Sequence, residues 1–224
     1  MHTTRDLTAA LTQEMQQAMT PADAIQYLKD GNERFLNGEP VERDLLEQVK
    51  NTAGGQYPMA AILGCIDSRV PVEIVFDKGV GDVFTARIAG NFVNTDILGS
   101  LEFATAVAGA KAIVVLGHSQ CGAIKGACDH VEMGNLTSTL ANLAPAMYRV
   151  DHKCYEPLSS ANGDYVNAVT DANIRLTTRN IVDRSSVIRD LVAQGKLAVI
   201  GALHEVETGK VVFLDDTEIN QGTL

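Results

Sequence analysis

Two kinds of apolar pattern divide this chain. Met59-Ala-Ala-Ile-Leu63 and Ile113-Val-Val-Leu116 are continuous apolar runs, too short for helices, and read as strands buried on both faces. Asp82-Val-Phe-Thr-Ala-Arg87 reads as a third strand. Between them the pattern changes to a helical period. Thr95 or Asp96 is the expected cap of a helix running to about Ala108, with Ile97, Leu98, Leu101, Ala104 and Ala108 on one face. The run at 112–116 leads through His118–Gly122 into another helix. A further helix is predicted from about Leu136 to Val150. Near Asp164 a long helical region begins in which Ile174, Ile181 and Ile188 fall on one stripe, Ser185 caps a second part, and Gly195 closes it. Consecutive strand–helix units of this kind build a mostly parallel sheet flanked by helices.

The two ends of the chain read differently. Residues 4–18 look helical, with Leu7, Leu11 and Met15 on one stripe. Thr20-Pro21-Ala-Asp23 is a well-formed start for a second helix that ends at Asn37-Gly38-Glu-Pro40. These leading helices, residues 1–38, form an N-terminal helical arm with two possible berths, a neighbouring subunit or the back of the sheet. At the other end, Lys196–His204 and Lys210–Leu214 flank Glu205-Val-Glu-Thr-Gly209 and read as a C-terminal β-hairpin. No repeat or linker interrupts the chain, so residues 1–224 are expected to form one α/β domain.

Composition narrows the function. With 18 basic and 28 acidic residues the net charge is −10, which leaves no basic footprint for nucleic acid or an anionic membrane. No apolar stretch is long enough to span a bilayer, and Met1–Met19 lacks the apolar core of a secretory signal. A cytoplasmic location follows as the expectation. The four cysteines, 65, 121, 128 and 154, are too sparse for a disulfide framework and point to metal or catalysis.

Chemistry gathers where strands end, as in open parallel sheets generally. Cys65-Ile66-Asp67-Ser68-Arg69 follows the first buried run, and Gly117-His118-Ser119-Gln120-Cys121-Gly122 follows the second. Cys65, His118 and Cys121 make a Cys2His ligand set for zinc with one tetrahedral position left open, the arrangement of a catalytic site. Two alternatives stand beside it: buried thiols with a structural histidine, or a closed structural zinc in which Asp67 is the fourth ligand. Asp67 and Arg69 are spaced to pair, and a bidentate guanidinium would hold the carboxylate ionised beside the metal. Cys128, Cys154, His130, His152 and His204 have no ligand-like neighbours in sequence. No dinucleotide-binding glycine pattern and no Gly-x-Ser-x-Gly elbow is present.

These motifs, with Phe84-Thr-Ala-Arg87-Ile-Ala-Gly-Asn91 and the late hairpin, resemble the β-class carbonic anhydrases over roughly residues 21–216. The resemblance implies Zn2+ held by Cys65, His118 and Cys121, an Asp67–Arg69 dyad, and reversible hydration of carbon dioxide to bicarbonate and a proton by zinc-bound hydroxide. It implies that Gln56, nine residues before the first ligand, hydrogen-bonds substrate, usually from the neighbouring subunit of a homodimer or larger assembly. It also implies an aspartate that closes onto zinc at low pH. Some members carry an inhibitory bicarbonate site built from Trp, Arg and Tyr. Arg87 matches the arginine, but Ile62 stands at the tryptophan position and the chain contains no Trp, so that site is expected to be absent. Relatives on this scaffold that hydrolyse carbon disulfide or carbonyl sulfide, and a non-catalytic zinc module, are the alternative functions.

Overall fold

The computed structural model describes residues 6–214. Helices α1 (Gln13–Ala18), α2 (Pro21–Asn37) and α3 (Leu45–Thr52) come before β1 (Ala60–Gly64). Next come α4 (Val72–Val75), β2 (Val83–Arg87), α5 (Thr95–Glu102) and β3 (Ala112–His118). Helices α6 (Gly122–Cys128), α7 (Gly134–Ala141), α8 (Ala144–Met147), α9 (Gly163–Arg184) and α10 (Ser186–Ala193) lead to β4 (Ala198–His204) and β5 (Val211–Phe213). Among the described residues the strands form one sheet in the order β2-β1-β3-β4-β5. The first four are parallel and β5 returns antiparallel to β4 as the expected hairpin. No helix among the described residues is long and apolar enough to cross a membrane.

The continuous apolar runs are explained by helices on both faces. On one face Ala60, Ile62, Ala112, Val114, Leu116, Ile200 and Ala202 pack against Ala24 and Leu28 of α2 and Val72 and Val75 of α4. On the other, Ala61, Leu63, Ile113 and Val115 meet Leu98 and Leu101 of α5 and the Ile174–Ile181–Ile188 stripe. All three isoleucines are fully buried, each contributing about 2–3 kcal/mol of apolar burial. Helix α9 lies so close that a Cβ at Gly117 would sit 2.5 Å from Ile174, and one at Gly201 2.6 Å from it. Glycine at these two strand positions is therefore a requirement of packing.

Four sequence expectations are corrected. The first helix is shorter than 4–18: Thr12 caps it by accepting from Met15 N–H, and residues 6–12 are not helical (residues 4 and 5 lie outside the described residues). Its buried positions also differ. Leu11 enters the core, Met15 is exposed, and Gln16 takes the inner position because its amide donates to Pro58 O and Ala108 O. The middle helix is capped by Asn94, which accepts from Ile97 N–H at 2.9 Å, and Phe103–Val107 widens into a π turn. The helix expected over 136–150 is broken into α7 and α8, since Pro145 has no N–H to donate and its ring crowds the preceding turn. Of the two berths for the leading helices, α2 takes the sheet of its own chain.

Candidate metal centre

The parallel register brings the two motifs to one edge of the sheet. Gly64 at the end of β1 is level with Leu116 of β3, so Cys65 lies beside the strand that ends in His118. Cys121 follows as the N-cap residue of α6. All three side chains are buried, and their ligand atoms lie within 4.8 Å of one another. The Cys65 and Cys121 sulfurs are 3.9 Å apart. Two thiolates at about 2.3 Å from one tetrahedral zinc would stand about 3.8 Å apart, so the spacing fits such an ion. The histidine gives an independent sign. His118 Nδ1 donates to Ser119 O at 2.8 Å, while Nε2 is buried with no hydrogen-bond partner. That tautomer directs a lone pair from Nε2 towards the two sulfurs, as a metal ligand requires.

Hydrogen bonds set the charges around these atoms. Cys65 is drawn down to about 4, chiefly by the hydrogen bond from the Cys121 thiol. The same bond, then burial, pushes Cys121 up. A dication held between the two sulfurs would take the place of both protons. Gly90 N–H also points at the Cys65 sulfur, at 3.4 Å. Gly90 has φ +84°, and a Cβ there would lie 2.8 Å from Leu143, so this donor is available only from glycine.

Asp67 is held as the motif suggested. Arg69 Nε donates to Oδ1 at 2.9 Å and Nη2 to Oδ2 at 2.7 Å, a bidentate pair. This guanidinium keeps the Asp67 carboxyl well below the usual carboxylate range. Asp67 Oδ2 stands 3.9 Å from His118 Nε2, at the edge of the ligand cluster. Arg87, at the end of β2, anchors the loop from outside by donating to Cys65 O at 2.8 Å and to Asp67 O at 2.5 Å.

The comparisons with known proteins agree with this geometry. The carbonic anhydrase family model matches residues 60–211. Carbonic anhydrase 2 of Mycobacterium tuberculosis is 35% identical over 202 residues, covering 87% of this chain and 93% of the relative. The carbonic anhydrase of Mycolicibacterium smegmatis is 32% identical over 197 residues, with coverage of 85% and 92%. Among solved structures, the Coccomyxa β-carbonic anhydrase in complex with acetazolamide superposes with a TM-score of 0.65 at 26% identity, covering 74% of this chain and 75% of that one. The chain belongs to the β-class carbonic anhydrases.

Not every β-carbonic anhydrase residue anticipated from the sequence meets at this edge. Cys65, Asp67, Arg69, His118 and Cys121 do. Gln56 does not: it is exposed and precedes β1, whose length of roughly 13 Å separates it from the carboxyl ends of the strands. In one chain it reaches no ligand. Ile62, at the position of the family tryptophan, is fully buried in the core. Cys128 is a buried free thiol pushed up to about 11 by desolvation, and Cys154 is exposed.

Sequence reading missed two neighbours of this carbonic anhydrase site. His204 is the register partner of His118 on β4, and it is buried with neither ring nitrogen bonded. Only the parallel β3–β4 register, which puts two histidines at equal depth on adjacent strands, could have revealed it. Arg87, matched in sequence to the arginine of the inhibitory bicarbonate site, has its Nε and Nη2 committed to the backbone of the Cys65 loop.

Proposed function

We propose that this carbonic anhydrase uses Zn2+ held by Cys65, His118 and Cys121 to hydrate carbon dioxide reversibly to bicarbonate and a proton. The observation that carries the reading is the convergence of two buried thiols and one unpartnered imidazole nitrogen beside a carboxylate locked by Arg69. Zinc held there supplies Lewis acidity, making hydroxide available from water near neutral pH. Three protein ligands leave one position for water, in keeping with a catalytic rather than a closed site.

The chain's own residues do the rest. Asp67, kept ionised by the bidentate guanidinium, is an acceptor only, so a water or hydroxide proton facing it is oriented and the oxygen lone pair is turned outward to substrate. Arg69 fixes Asp67 away from the ligand set in this state. At low pH the same carboxylate is the group that would turn inward and close the site. Gln56 of a second subunit hydrogen-bonds a substrate oxygen, which makes the site complete only in a homodimer or larger assembly. The exposed position of Gln56 supports this, as does the tetrameric assembly of β-carbonic anhydrases from Sordaria macrospora, which match at 25% identity and a TM-score of 0.65. A cytoplasmic location belongs to the same reading, supported by four unpaired cysteines.

Stopped-flow carbon dioxide hydration from about pH 6.5 to 9, with zinc counted in the same preparation, tests the proposal. Rapid hydration with about one zinc per chain is the expected result. Full zinc occupancy with hydrolysis of carbonyl sulfide and no hydration of carbon dioxide would replace this substrate with its sulfur analogue.

A further inference from the structure

The loop between His118 and Cys121 is gripped from a side that the proposed reaction does not use. Ser119 N–H donates to His204 O at 2.9 Å. The Ser119 hydroxyl accepts from Val206 N–H at 2.9 Å and donates to Glu207 Oε2 at 2.9 Å. Its carbonyl takes the Nδ1–H of His118 at 2.8 Å. Every polar group of this serine is therefore engaged, and three of the four hydrogen bonds come from β4 and the turn into β5, nearly ninety residues further along the chain. The next residue is held as well: Gln120 sits at φ 55° with its carbonyl accepting from Arg69 at 3.2 Å and its side chain from Lys125.

We infer that Ser119 and Glu207 are positioning residues for the metal centre, through which the β4–β5 turn sets the aim of His118. The inference rests on zinc binding by Cys65, His118 and Cys121. The carbonyl that fixes a ligand histidine's tautomer works only if its own peptide is held. Here Ser119, which carries that carbonyl, is held by its N–H on His204 O and by its hydroxyl bridge to Val206 and Glu207. With those bonds present, Nδ1 keeps the proton and Nε2 presents its lone pair to the sulfurs before a metal arrives. Without them Ser119 and the carbonyl it carries are free to turn, and binding must first restore the orientation. Glu207 is exposed and touches no ligand, so its effect runs through the Ser119 hydroxyl.

The test is the zinc dissociation constant of the full chain, by competition with a chromogenic chelator, with melting of each metal-free protein measured beside it. Ser119→Ala is expected to bind zinc about 10- to 100-fold more weakly, the range for groups that orient a metal's ligands. Ser119→Thr, which keeps the hydroxyl, is expected within about 3-fold of the parent. Glu207→Ala should lose about 3- to 10-fold, because an exposed hydrogen bond is worth less. The double variant should be no weaker than Ser119→Ala alone, since one residue acts through the other. Zinc affinity of Ser119→Ala within 2-fold of the parent would overturn the inference. So would losses that multiply in the double variant, because Glu207 would then act on the metal by itself. Should Ser119→Ala fail to fold, Glu207→Ala decides: a loss of at least about 3-fold supports the inference, and an unchanged constant sinks it. A parent chain that binds no zinc is a different failure, that of the metal reading itself.

Discussion

The two loops that build the metal centre are held by opposite means. The Cys65–Arg69 loop is organised by charge: one guanidinium grips the Asp67 carboxylate, and Arg87 grips the loop's carbonyls. The His118–Cys121 loop supplies the other two candidate ligands and is organised mostly by neutral groups, a hydroxyl, peptide N–H groups and carbonyls from β4 and its turn. On the proposed reading, charge lies where a nucleophile has to be oriented. Neutral, short-range hydrogen bonds are placed where a ligand has to be aimed without perturbing its basicity. The first loop therefore offers residues whose loss spares the metal, and the second offers few.

The largest effect is expected where the loops do the same thing. Cys65→Ser and His118→Ala each remove a ligand, so both should lose zinc and fall to background hydration. Elemental analysis of purified variants checks this, and a His118→Ala protein with one zinc per chain would break the symmetry of the ligand set. Gln56→Ala comes next. It should leave zinc in place and slow hydration by about 3- to 10-fold, the worth of one hydrogen bond to substrate. Heteromers of Gln56→Ala with Cys65→Ser chains should then regain one full-rate site per pair, which a site confined to one subunit does not allow.

A smaller effect concerns His204. Burial lowers its pKa, so the unfolded chain takes up a proton that the folded chain refuses. Stability from this group is complete above the unfolded value of about 6.5 and is lost as pH falls below it, at no more than about 1.4 kcal/mol per pH unit for one proton. Melting curves at pH 7.5 and 5.5 should show a shallower pH dependence in His204→Leu than in the parent. Equal slopes would mean that His204 titrates alike in both states. Smallest of all is the response to bicarbonate. With Ile62 buried at the tryptophan position and Arg87 bonded to backbone, a bicarbonate titration should give simple, non-cooperative inhibition.

The sequence made the sheet and the ligand set readable because both depend on short-range facts. Continuous apolar runs show a strand buried on both faces, and Cys65, His118 and Cys121 stand where such runs stop. Asp67 and Arg69 pair within one turn of chain. What stayed hidden depends on partners far along the chain. Gln16 lies outside the Leu7–Leu11–Met15 stripe, yet it is buried because Pro58 and Ala108 offer carbonyls. His204 looked isolated until register placed it beside His118. Nothing local marks Ser119, whose contacts come from the end of β4 and the turn after it. The break at Pro145 is different: the single helix expected over 136–150 overlooked it, although the rule it follows needs no partner.

The division between the two loops is tested most directly by zinc content and hydration rate measured together on Asp67→Asn. Asparagine keeps the shape and removes the charge that Arg69 holds. The account predicts one zinc per chain, as in the parent, with hydration slowed by about 10²-fold across the pH range. Loss of zinc would make Asp67 part of the ligand set, and full activity with full zinc would show that the charged loop does not orient the nucleophile.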